Sequence, residues 1–285
     1  MDKNIIIIYH GPYCCDGFGS ALAAYLKFGD NAYYYPTSHG SDIPPDVTGK
    51  IVYILDFSYK KEILEKMINQ ANCLKVIDHH KTAEKELEDI NDQYKIFDMN
   101  HSGAILTWKY FFPDLEAPLL LQYVEDRDIW LKQMPNTEEV TTALFDLPKD
   151  FEVWKEYLNN QKIEELIEKG SAVLEHNKLE VQKITNSAFI TNWNIKIDNE
   201  DHDFNVAVCN SPTLQSDIGN YLVANKFKDE VDFAAVFYYD GEYTKFSLRS
   251  TNDKQDVSII ARIYGGGGHR NAAGCAIYGL VSELN

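Results

Sequence analysis

Arginine is scarce in this chain. Of 27 basic residues in 285 only four are arginines, at 127, 249, 262 and 270, and three of those stand at or beyond position 249. Lysine supplies positive charge elsewhere, so the planar fork that suits bidentate contact with phosphate or carboxylate is concentrated towards the carboxyl end. Surface arginines in an arginine-poor composition would give the same count. Cysteine is also sparse: positions 14, 15, 73, 209 and 275 form no C-x-x-C pair and leave one over. That argues against a zinc knuckle and a disulfide framework and fits a reducing cytoplasm. No apolar run approaches the roughly 18 residues of a membrane helix. The run after Met1-Asp2-Lys3-Asn4 has about five apolar residues and a strand's β-branched makeup, too short for the core of a secretory signal. Positive charge is outweighed throughout. The net charge of −17 is shared by both halves, so long duplex nucleic acid is repelled, and the expected substrate is small or held locally through metals and a few cations.

An apolar content of 45% with 13% aromatics fits a globular protein long enough for two domains. Periodicity predicts strands at 4–9, 32–36, 51–55 and 74–77 alternating with helices at 17–28 and 60–72, a βαβ pattern that points to a parallel sheet. Ser102-Gly103 opens a helix that Pro113 stops, and 116–127 is helical again. The first domain is expected to span 1–150. Residues 151–186 read as a charged helical connector. From 187 to 285 short strands (187–191, 203–209, 232–239, 243–249, 273–278) surround helices at 213–226 and 256–263, a smaller α/β domain with a mixed sheet. Gly265-Gly266-Gly267-Gly268 precedes its last strand.

The chemistry-bearing residues follow the apolar runs. His10 and Asp16 come after Ile5-Ile6-Ile7-Ile8-Tyr9, Asp56 after Ile51-Val52-Tyr53-Ile54-Leu55, and Asp78-His79-His80 after Leu74-Lys75-Val76-Ile77. Carboxyl ends of parallel strands are where open α/β sheets place their ligands. Carboxylates gathered there are unfavourable unless a cation neutralises them, which suggests a metal site. Taken singly, His10 is better explained by structural hydrogen bonding, and Asp16 or Asp56 is as well explained by helix capping. Three consecutive titratable groups at 78–80 are harder to explain without function. Asp126 and Asp128 end a helix whose dipole disfavours carboxylates, so Arg127 or a metal must compensate. Four glycines before His269 form either a flexible turn or a nest of N–H groups for a phosphate.

His10 through Asp16-Gly17-Phe18, Asp56, Asp78-His79-His80 and Asp126 resemble the ordered motifs of the DHH phosphoesterase superfamily. Ser247-Leu248-Arg249-Ser250 and Gly265-Gly266-Gly267-Gly268-His269-Arg270-Asn271-Ala272-Ala273-Gly274 resemble its DHH-associated C-terminal domain. The resemblance spans nearly the whole chain. It implies a parallel-sheet catalytic domain joined by a helical connector to a substrate-binding domain. It also implies two divalent ions, Mn2+: Asp56 bridging, His10 on one ion, and Asp16, His79 and Asp126 on the other, with Asp128 the alternative to Asp126. His80 would lie beside the substrate phosphate, with Asp78 orienting an imidazole. Arg249, Gly266, Gly267, Gly268 and His269 would grip a far phosphate or nucleotide. The family places an aspartate four residues after the first histidine, and here that residue is Cys14. A thiolate suits softer ions than manganese, so Cys14 ligates a different metal, the first ion is held less tightly, or the loop shifts register.

The implied activity is manganese-dependent hydrolysis of a short single-stranded oligonucleotide or small nucleotide, as a phosphodiesterase or nucleotide phosphatase. One alternative is a polyphosphatase or pyrophosphatase with the same metals and no base to read. The other is a non-catalytic nucleotide-sensing protein, which only Cys14 favours. Tyr238, Tyr239 and Tyr243 would stack bases in the nucleotide readings, although strand spacing also suits them to sheet packing. No membrane partner is expected, and the oligomeric state is left open, a homodimer included.

Overall fold

The structure, a computed structural model, describes residues 3–38 and 43–284. Two compact units divide the chain, Met1–Leu174 and Glu175–Asn285. In the first, strands β1 (Ile5–His10), β2 (Ala32–Thr37), β3 (Ile51–Leu55), β4 (Cys73–Asp78) and β5 (Lys95–Phe97) pair in parallel in the order β2-β1-β3-β4-β5. Helices α1 (Cys15–Phe28), α2 (Lys61–Gln70), α3 (Lys81–Glu86), α4 (Gly103–Phe111), α5 (Leu119–Asp128), α6 (Thr137–Asp146) and α7 (Phe151–Glu156) follow or separate the strands, and α8 (Ile163–Ile184) carries the chain into the second unit.

The period of two along each strand sends alternate side chains to opposite faces. Ile7, Tyr9, Leu55 and Ile77 pack with Phe18 and Leu22 of α1 and Ala104 and Ile105 of α4. Ile6, Ile8, Val52, Ile54 and Val76 pack with Leu64 and Met67 of α2. Both faces are covered, which is why these strands read as continuous apolar runs. The winding reverses between β1 and β3, the crevice where such sheets bind ligands.

In the second unit β6 (Phe189–Ile197), β7 (Glu200–Asn210), β8 (Phe233–Tyr239), β9 (Tyr243–Arg249), β10 (Gly267–His269) and β11 (Ala272–Tyr278) form a sheet in the order β10-β11-β9-β8-β7-β6. All neighbours are antiparallel except β7 and β8. Helix α9 (Gln215–Tyr221) covers one face through Ile218, and α10 (Val257–Ile263) covers the other through Val257, Ile260 and Ala261.

The predicted α/β architecture, a parallel sheet followed by a mixed one, is what the structure has. Four elements were not predicted: α3, α6, β5 and β10. Strand β5 has three residues and α3 six, below the length at which periodicity is readable. The expected helix at 213–226 is α9 followed by a π-helical turn at Leu222–Lys226, closed by Phe227 N–H donating to the Leu222 carbonyl. The glycine run is part of a hairpin. Gly267 and Gly268 pair with Gly274 and Ala273, and a Cβ on Gly266 would stand 2.0 Å from the Gly274 carbonyl oxygen.

Candidate metal centre

Because β1, β3 and β4 are adjacent, their carboxyl ends lie side by side. Strand β1 ends at His10, β3 is followed by Asp56, and β4 ends at Asp78 before His79 and His80. Asp56 has a left-handed φ of 52°, a conformation that carries a cost for a residue with a Cβ and is among the strained ones that cluster at functional sites. Its N–H donates to the Ile77 carbonyl, 2.9 Å away. The carboxylate, 1% exposed as a residue, faces two ways. Oδ1 lies 3.1 Å from His79 Nε2, and Oδ2 lies 3.5 Å from His10 Nδ1 and 3.7 Å from Cys14 Sγ.

Asp16 arrives from the first turn of α1. Its oxygens accept the Gly103 and Ala104 N–H groups at 2.6 and 3.0 Å, at the start of α4, where the helix dipole favours negative charge. Oδ2 also lies 3.5 Å from His79 Nε2. Two glycines permit these approaches: a Cβ on Gly17 would fall 1.9 Å from the His10 carbonyl oxygen, and one on Gly103 would fall 2.5 Å from Asp56 Cβ. Asp78 is fully buried and serves its neighbours. Oδ1 accepts the His79 N–H at 2.7 Å and is 2.7 Å from His80 Nδ1, and Oδ2 accepts the Ser58 hydroxyl at 2.6 Å.

Asp126 is not in this cluster. Its carboxylate accepts N–H groups of Gln133 and Met134 and the Thr137 hydroxyl, at 2.8, 3.3 and 2.5 Å, and so fastens the turn that follows α5. The acid that reaches the cluster from α5 is Asp128, whose Oδ2 stands 3.5 Å from His79 Nε2. Residues two apart on a helix point roughly 200° away from one another, so only one of the pair can face the sheet edge. In the second unit, the register sets His269, Ala272 and Arg249 in one row across β10, β11 and β9. Arg249 donates through Nη2 to the Ser216 hydroxyl at 2.6 Å and through Nη1 to the Leu248 carbonyl at 2.8 Å.

The chain is similar to known proteins. The DHHA1 domain model matches residues 205–284. The uncharacterized protein R106 of Acanthamoeba polyphaga mimivirus is 39% identical over 304 residues, covering 99% of this chain and 70% of its own length. The oligoribonuclease NrnB of Bacillus subtilis is 37% identical over 83 residues, 29% of this chain and 20% of its own. The chain belongs to the DHH phosphoesterase superfamily. Solved structures similar to it include a pGpG-specific phosphodiesterase, PggH, from Vibrio cholerae (15% identity, TM-score 0.48, 97% of this chain and 94% of that one). Another is an exopolyphosphatase-related protein from Bacteroides fragilis (20%, 0.47, 98% and 88%).

Members of the DHH superfamily generally use divalent metals, and the electrostatics here fit such ions. Burial, then the carboxylates of Asp56 and Asp128, push the Asp16 carboxyl well above the usual range. Burial, with Asp56 adding to it, raises Asp128 despite His79. Burial works against charge on Asp56 as well, but hydrogen bonds with His10 and His79 outweigh it and hold this carboxyl well below the usual range. Burial likewise opposes an imidazolium at His79, yet the Asp56 hydrogen bond and the surrounding carboxylates drive it up to about 11. His79 Nε2 thus faces three carboxylates, those of Asp56, Asp16 and Asp128. Asp128 Oδ2 is buried without a hydrogen-bond partner. Asp16, His79 and Asp128 each offer an atom within 4.8 Å of the others, and so do His10, Cys14 and Asp56. Such a donor set is completed by cations.

Proposed function

We propose that this chain is a manganese-dependent phosphodiesterase that hydrolyses short single-stranded oligonucleotides or small nucleotides in a reducing cytoplasm. The observation that carries the reading is the two-sided contact of Asp56, 3.1 Å to His79 on one oxygen and 3.5 Å to His10 on the other, at the crevice where the sheet's winding reverses. Asp16, His79 and Asp128 would hold one ion, His10 the other, with Asp56 shared. A pair of divalent cations supplies an activated water and neutralises charge on phosphoryl oxygens.

The chain's own groups do the positioning. His80, fixed through Nδ1 by Asp78, donates from its other nitrogen to a non-bridging oxygen as charge builds there. Asp78 keeps that ring in place and does not itself meet substrate. Arg249, Gly266, Gly267, Gly268 and His269 take the phosphate or nucleotide remote from the cleavage point. Kinship with NrnB over 83 residues supports an oligonucleotide substrate, and the net charge of −17 supports a short one. The five cysteines are all free, and among the described residues no helix is long and apolar enough to cross a membrane.

A substrate panel with Mn2+ tests this. Ribodinucleotides, three- to five-residue RNAs, a long RNA, duplex DNA, a mononucleotide 3′,5′-bisphosphate, pyrophosphate and polyphosphate are each scored by product. Turnover of the shortest RNAs, absent after chelation, is expected. Turnover confined to polyphosphate or pyrophosphate would overturn the nucleotide reading, and turnover of none would overturn the enzyme reading.

A further inference from the structure

The two oxygens of Asp56 face donor sets of different chemistry. On the Oδ1 side stand His79 Nε2 at 3.1 Å and, 3.5 Å from that nitrogen, carboxylate oxygens of Asp16 and Asp128. This set has one nitrogen and otherwise hard oxygen. On the Oδ2 side stand His10 Nδ1 at 3.5 Å and Cys14 Sγ at 3.7 Å, a set of nitrogen, sulfur and one oxygen. Donors that share a tetrahedral ion at ordinary bond lengths lie roughly 3.3–3.8 Å apart, the range of both Oδ2 separations.

Three local features bring the sulfur there. Cys14 is the residue that caps α1, its Sγ accepting the Gly17 N–H at 3.4 Å. Gly17 lets the start of that helix press against the end of β1. Asp56 is swung into its left-handed backbone conformation. The sulfur is therefore held by the same loop and strand ends as His10 and Asp56. The adjacent Cys15 is instead packed in the apolar core with Phe18 and Leu22.

We infer that the centre is chemically asymmetric: Cys14 is a metal ligand, and the His10–Cys14–Asp56 position selects a softer divalent ion such as Zn2+, Fe2+ or Co2+, while the Asp16–His79–Asp128 position takes a hard ion such as Mn2+. Thiolate and imidazole favour the late members of the divalent series and carboxylates the early ones, so one protein can hold two different metals 'by ligand type'. The inference rests on the binuclear reading above, and its test separates the two.

The full chain, stripped by a chelator, is titrated with Co2+ and followed by absorption. A thiolate-to-cobalt charge-transfer band in the near ultraviolet, two equivalents bound, and loss of the band in Cys14→Asp with both equivalents retained are the expected results. Cys15→Ser keeps the band. In Cys14→Asp the preference for Zn2+ over Mn2+ falls by at least roughly 10–100-fold, the loss already usual for groups that only support a ligand. Two equivalents without the band, or a band that follows Cys15, would overturn the thiolate ligand and leave the binuclear centre standing. Failure to bind Co2+, or binding that Asp56→Asn leaves unchanged, would overturn both.

Discussion

In the first unit the buried polar side chains include Asp16, Asp56, Asp78, His79 and His80, gathered at one edge of the parallel sheet. In the second, among the described residues, they are Thr185, Ser211, Thr244, Ser250, Ser258 and Asp256. The second unit's single buried carboxylate is locally satisfied: Asp256 accepts the Ser258 N–H and hydroxyl at 3.1 and 2.5 Å and caps α10. The hydroxyls Ser211 and Thr244 donate to nearby carbonyls. Polarity there completes the fold. At the sheet edge of the first unit, by contrast, acids crowd acids around His79, and burial together with their mutual repulsion raises the Asp16 and Asp128 carboxyls. The difference teaches how to separate a buried carboxylate that serves architecture from one placed to meet a cation: both accept hydrogen bonds, but only the second also stands among other acids.

The largest effect should come from Asp56→Asn. Loss of the shared carboxylate is expected to lower hydrolysis by at least roughly 100- to 1000-fold, as for other groups that stabilise transition-state charge, and to abolish binding of both ions, measured by calorimetry. Retained turnover would break the contrast between the units. Next is the pair on α5. Asp128→Asn should lose activity and one metal equivalent, whereas Asp126→Asn should keep both and lower stability by about 1–3 kcal/mol, since it disturbs a buried acceptor with three donors. Denaturant titration with metal binding distinguishes them. Third, Mn2+ at about 100 times its Kd should stabilise the first unit by about 2.7 kcal/mol, raising its unfolding midpoint by roughly 5–11 °C. Calorimetric scanning should find the second unit's transition unmoved, and an equal shift of both would blur the comparison. The smallest effect belongs to Asp256→Ala, which removes a cap. About 1 kcal/mol of stability is expected to go, with metal affinity unchanged.

Much of this was legible in the sequence, for identifiable reasons. The parallel sheet announced itself through β-branched runs buried on both faces, and His10, Asp56 and Asp78-His79-His80 were conspicuous because each follows such a run. The choice between Asp126 and Asp128 was not legible. It turns on the segment after α5 folding back, through left-handed Trp130 and Lys132, to give Asp126 its donors, a nonlocal event with no periodic signal. Ser102-Gly103 read only as a helix start, yet Gly103 also backs Asp56 and, with Ala104, holds Asp16. The short strand in the glycine run escaped notice because glycine has no strand propensity; close approach to β11, a tertiary demand, selects it there.

The grip of α4 on Asp16 has a practical corollary for protein engineers. Residue 16 is oriented by amides 87 and 88 positions further along the chain. A transplant of the motif segments alone onto another three-stranded scaffold would therefore leave that side chain unsteered, and a working graft has to bring the opening turn of this distant helix with it.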